Sequence, residues 1–128
     1  MSSMSTSSEN PKFMAALKLA KRFPGVELDT SCQTPAIKVK GKFMARLRPE
    51  AEGWLAIRCD FLIRDMLLQA EPNVFHLTDH YRNYPMILVD LANIRKAALI
   101  DILEQAWRMT ASKKLLREYD EGHSGDSI

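Results

Sequence analysis

The sequence predicts an α+β domain in two layers, an antiparallel sheet with helices packed on one face. Three observations carry this. Apolar and charged residues alternate with a period of two across Ala36–Arg48 and again across Trp54–Cys59, the mark of strands. The connections between these runs are short, so neighbouring strands pair antiparallel. Apolar residues at helical spacing precede and follow the strand block.

In chain order, Asn10 and Pro11 form a favoured helix opening, an Asn cap followed by Pro at the first helical position. Phe13, Met14, Leu17 and Ala20 then recur at helical spacing, and Pro24-Gly25 stops the helix. A short strand follows from Val26 to Thr30. In the hairpin AIKVKGKFMARLR, Ile37, Val39, Phe43, Ala45 and Leu47 share the core face. Lys38, Lys40, Lys42, Met44, Arg46 and Arg48 point away, and Gly41 supplies the positive φ of the two-residue turn. After a turn at Pro49 to Gly53, Leu55, Ile57 and Cys59 face the core, opposite Trp54, Ala56 and Arg58. Asp60 caps a second helix to Ala70 with Leu62, Ile63, Met66 and Leu67 inward. Val74 to Leu77 is a short apolar piece, and Thr78 to Pro85 is a polar-aromatic loop. Met86 to Val89 is the last strand. Asn93 caps a long helix with a stripe of Ala98, Leu99, Ile102, Leu103, Ala106 and Trp107, and Lys113 to Tyr119 makes a final basic helix.

Composition places this order in a single domain. The chain has 128 residues, 46% hydrophobic and 27% charged, as expected of a globular protein with one core. Residues 1–9 are Ser-rich and 120–128 acidic with Gly and Ser, so both read as disordered tails around a domain at 10–119. Within 10–119, 18 bases face 12 acids, a net charge of +6, whereas the whole chain carries only +2. A basic body favours polyanions as partners. Neither a membrane span nor a secretory signal is read in the sequence. Cys32 and Cys59 match no zinc spacing, and Cys59 belongs to a core strand face. A cytoplasmic location with reduced thiols is therefore expected.

Two constellations stand out. Lys38, Lys40, Lys42 and Arg46, joined by Arg58 and Trp54 if their strand pairs next, would gather cations and one aromatic ring on the outer sheet face. That combination suits a phosphate backbone and a stacked base. The plain alternative is a solvated face that discourages edge pairing. The second constellation is the loop of His80, Tyr81, Arg82 and Tyr84, which can hydrogen-bond, stack, or titrate near neutrality. Its plain alternative is aromatic packing over the sheet edge. Catalytic motifs and cofactor boxes are not recognised. His76 and His80 run into a Pro-containing loop and are not read as a metal pair.

Three blocks together, Phe23-Pro24-Gly25-Val26-Glu27, then Thr30 to Ala36 leading into Lys38-Val39-x-Gly41-Lys42-Phe43, and His80-Tyr81-Arg82-Asn83-Tyr84-Pro85, resemble the MmcQ/YjbR family of small bacterial proteins. The resemblance covers Phe13 to Leu116. It implies a CyaY-like, frataxin-like fold, sometimes described as a double wing, and a DNA-binding label with no established catalysis. Gln33 stands where members often have Gly, and Met86 where they often have an aromatic. Iron binding by fold analogy is opposed by the first helix, whose Lys12, Lys18, Lys21 and Arg22 have no acid among them.

The expectation is a non-enzymatic module, without metal or cofactor, that binds DNA or another polyanion. Lys38, Lys40, Lys42, Arg46 and Arg58 would contact phosphates, and Trp54 would stack. The alternative is a small-molecule or protein-interaction site at Thr34, Pro35, His80, Tyr81, Arg82 and Tyr84.

Overall fold

The computed structural model describes residues 10–29, 34–48 and 53–126, with side chains to residue 122. The lead-in at 1–9, the block 30–33 with Cys32, and the turn at 49–52 lie outside the described residues. Helix α1 (Pro11–Ala20) begins where the Asn10 side chain accepts from the Lys12 and Phe13 backbone N–H groups, at 2.9 and 3.0 Å. It buries Phe13, Ala16, Leu17 and Ala20, while Met14 is exposed, contrary to expectation. One helical stripe can face the core, and residues 13, 16, 17 and 20 trace it.

Among the described residues there are six strands: β1 (Val26–Asp29), β2 (Ala36–Val39), β3 (Lys42–Leu47), β4 (Trp54–Arg58), β5 (Phe75–His76) and β6 (Met86–Asp90). All pairs are antiparallel, in the order β1-β2-β3-β4-β6-β5. The β2–β3 turn is Lys40-Gly41, with φ of 50° and 84°. Both central residues are therefore left-handed, as a type I′ hairpin requires.

β3 corrects the expected alternation. Ile37 pairs with Ala45 and Lys38 with Phe43, leaving Met44 as the extra residue of a bulge. A bulge lets two successive side chains share a face. Met44 and Ala45 are both buried in the main core, and Phe43 turns outward, 36% exposed.

Helices α2 (Phe61–Ala70), α3 (Lys96–Thr110) and α4 (Lys113–Asp126) complete the chain. α1 and α3 cover the inner sheet face. Trp107 is fully buried, donates from Nε1 to Pro24 O at 2.8 Å, and stacks on Phe23 at 5.5 Å. This ties the stop of the first helix to the long one. Two further expectations are corrected. α3 starts at Lys96 behind Arg95, and Asn93 instead belongs to the turn after β6, donating to Asp90 from its backbone N at 3.1 Å and from Nδ2 at 2.8 Å. In α2, capped by Asp60 as expected, Leu62 and Met66 are 76% and 68% exposed. The face turned to the protein carries Ile63, Leu67, Leu68 and the buried Arg64. α4 continues to Asp126, into the stretch expected to be a tail, and Asp120 on it accepts from Arg108 at 2.9 Å.

Cys59 is fully buried beside the start of α2. Burial, with Asp60 adding to it and Arg64 opposing, pushes its thiol up to about 11, so it stays a neutral core group. Among the described residues, no helix is long and apolar enough to cross a membrane.

Candidate functional site

The outer sheet face is not an open cationic surface. Ala56, Met86 and Leu88 form a second, small apolar cluster on it, roofed by Tyr81 from the 3₁₀ turn Asp79–Tyr81, with Trp54 and Leu77 packed at its side. β6 is therefore buried on both faces. The loop after β5 acts as a partial third layer.

Arg64 holds that loop in place. Its guanidinium, from within α2, donates to the carbonyls of Tyr84 (2.9 Å), Arg82 (3.1 Å), Met86 (3.3 Å) and Tyr81 (3.4 Å), and it lies over the Phe61 ring at 4.8 Å. A planar fork with five N–H donors can collect several carbonyls of one turn, which an ammonium cannot do in the same way. The sequence reading missed this residue because an apolar stripe was sought at Leu62 and Met66. The signal was the row Arg64, Leu67, Leu68, equally helical in spacing but headed by a charge.

Tyr81 is the next anchor. Its hydroxyl accepts from Arg46 Nη2 at 3.0 Å, the Arg48 guanidinium lies 5.5 Å from its ring centroid, and His80 meets it edge-on at 4.7 Å. Around these groups runs a groove of about 600 Å³, lined by Lys42, Phe43, Arg58, His80, Tyr81, Tyr84, Pro85 and Met86. It joins one end of the basic hairpin to the aromatic loop, so parts of the two constellations share one concavity. Phe43 enters only because of the bulge.

The remaining expected residues lie apart. Lys38 pairs with Asp29 at 2.8 Å, Arg46 serves Tyr81, and Arg82 pairs with Asp79 at 2.6 Å on an exposed turn. Lys40 is exposed at the hairpin tip. Trp54 stacks on His76 at 4.2 Å and 7°, so one ring face is covered. Pro35 accepts from Leu47 N at the end of β3 remote from Phe43; neither it nor Thr34 lines the groove. Arg58 also reaches the end of α3, donating to Met109 O and Thr110 Oγ1 at 3.4 Å each, where helix carbonyls favour a cation.

Chemically, the groove offers two cations, a histidine, three faces of phenyl or phenol type and no carboxylate among its lining residues. Rings of this kind can stack on a planar group, and Lys42 and Arg58 can donate to an anionic one.

The YjbR family model matches residues 21–109 of the chain. The chain is 35% identical over 57 residues to the uncharacterized proteins Rv2570 of Mycobacterium tuberculosis and Mb2600 of Mycobacterium bovis. The aligned stretch is 44% of this chain and 44% of each relative. The chain thus spans less than half the length of these curated relatives. No solved structure matches it.

Proposed function

The chain belongs to the YjbR family, and we propose that it is a non-enzymatic binding module whose outer groove takes a planar aromatic anion of nucleotide size. One observation carries the reading: Lys42 and Arg58 converge with Phe43, Tyr81, Tyr84 and His80 on a single concavity. Stacking one base on such rings contributes about 1–3 kcal/mol, and charge-assisted contacts from the two cations add direction.

A second reading keeps the same groove and makes its occupant one nucleotide of a single-stranded nucleic acid. Lys42, exposed in the groove wall, favours it, since a strand leaving the groove would pass this cation first and could reach Lys40, exposed at the hairpin tip outside the groove. Lys38 and Arg46 count against a long phosphate track, because each is already engaged within the protein.

The test is titration of the full chain with AMP and UMP by calorimetry. Alongside it, fluorescein-labelled single strands of two, six and twelve nucleotides are followed by anisotropy at about 50 and 200 mM salt. Saturable mononucleotide binding, lost in Phe43→Ser and Lys42→Glu, supports the first reading. Affinity that climbs with length and collapses with salt supports the second. If neither probe binds, or if binding ignores both substitutions, the groove is not the site.

A further inference from the structure

A second concavity lies on the opposite, helical side, between α1 and the start of α3, with a volume of about 760 Å³. Its rim carries Lys12, Lys18, Lys21, Arg22 and Lys96, and its lining residues include no acid. Among the described residues none of these five makes an ion pair. Its floor is Leu19, Leu91, Ile94 and Leu99.

Helix electrostatics explain three of the cations and leave two over. Lys18, Lys21 and Arg22 sit at the C-terminal end of α1, where backbone carbonyls favour positive charge. Lys12 and Lys96 sit in the first turns of α1 and α3, the positive ends of those helices, where a cation is unfavourable. Neither first turn holds an acid, and Arg95 at the N-cap of α3 makes no side-chain capping bond. Both misplaced cations line the groove, so an anion bound there relieves them.

We infer that this groove docks an acidic amphipathic helix of a partner protein. The chemistry selects it: a Leu/Ile floor between basic rims is the counterpart of an apolar stripe flanked by carboxylates. A sugar-phosphate backbone would satisfy the rims and leave the apolar floor uncovered. A flat lipid surface would meet the exposed lysines without entering the concavity. α1 is ten residues long, about 15 Å, which matches three turns of a docked helix.

The experiment uses the full chain and a fluorescein-labelled 14-residue peptide, with Leu at positions i, i+3, i+4 and i+7 and Glu on the other faces. Its probes for comparison are a scrambled isomer, a twelve-nucleotide single strand and phosphatidylglycerol vesicles. The peptide is expected to bind at least tenfold more tightly than its scramble. K18E/R22E is expected to weaken it at least tenfold, whereas Phe43→Ser leaves it unchanged. Lys96→Glu serves as the folding control: it puts an acid at a helix N-terminus, so it keeps or raises the melting temperature while weakening the peptide. Equal binding of the scramble, indifference to K18E/R22E and Lys96→Glu, or tighter capture of the oligonucleotide or vesicles through these residues overturns the inference.

Discussion

Three cations on the sheet side and five on the helix side carry the same charge and do different things. On the sheet side, Arg64 is buried among four carbonyls, Arg46 serves the Tyr81 hydroxyl, and Lys38 is paired with Asp29. On the helix side, Lys12, Lys18, Lys21, Arg22 and Lys96 rim a groove with no ion pair among the described residues. The difference teaches that a count of basic residues does not locate a polyanion site. A guanidinium near a loop or hydroxyl is absorbed by the fold, and only charge the fold does not use stays open at the surface.

The strongest way to break this contrast is Arg64→Leu. Removing the fork strands the carbonyls it satisfies, and a cost of about 3 kcal/mol is expected in urea unfolding, with Arg64→Lys recovering only part. A loss below about 1 kcal/mol would mean that Arg64 is not structural. The neighbouring Cys59 sharpens the same corner through pH. Its folded thiol, raised to about 11, keeps a proton that the unfolded thiol releases near 9. The folded state then binds more protons, so stability is full below pH 9 and falls as pH rises towards 11, by up to about 1.4 kcal/mol per unit. Cys59→Ala should lack that part of the slope in pH-dependent melting.

Smaller effects follow. Tyr81→Phe removes the acceptor of Arg46 and should cost about 1 kcal/mol, with a double-mutant cycle against Arg46→Met assigning the coupling. Asp29→Asn breaks a partly exposed ion pair and should cost less than about 1 kcal/mol, diminishing with salt. On the helix side, Lys12→Gln should leave urea stability within about 0.5 kcal/mol or raise it slightly. A loss comparable to that of Arg64→Leu would erase the contrast.

Much of the fold was legible because it is written in local chemistry. Asn10-Pro11 and Asp60 mark helix starts by the donors they satisfy, Lys40-Gly41 marks a turn by its φ, and the period of two marks the strands. The errors came where one face had to be chosen between near-equal options. Met44 displaced Phe43 because a one-residue bulge reverses the alternation beyond it, and no local pattern announces a bulge. Arg64 displaced Leu62 and Met66 because carbonyls seventeen and more residues away, at Tyr81 to Met86, satisfied its charge.

The candidate site was legible in part for the same reason. His80, Tyr81 and Tyr84 are conspicuous as a polar-aromatic loop, and Lys42 and Arg58 as cations on a strand face. That they share a groove, while Trp54, Lys38 and Arg46 do not line it, depends on how the loop folds back over Ala56 and Leu88. By itself, then, the sequence determined the class of fold, the order of its elements and the basic character of the body, since each rests on neighbours along the chain. The tertiary structure alone decided which cations are spent inside the fold and which stay unpaired at the surface. A charge is satisfied by whatever oxygen lies within about 3 Å, and that distance is set by packing.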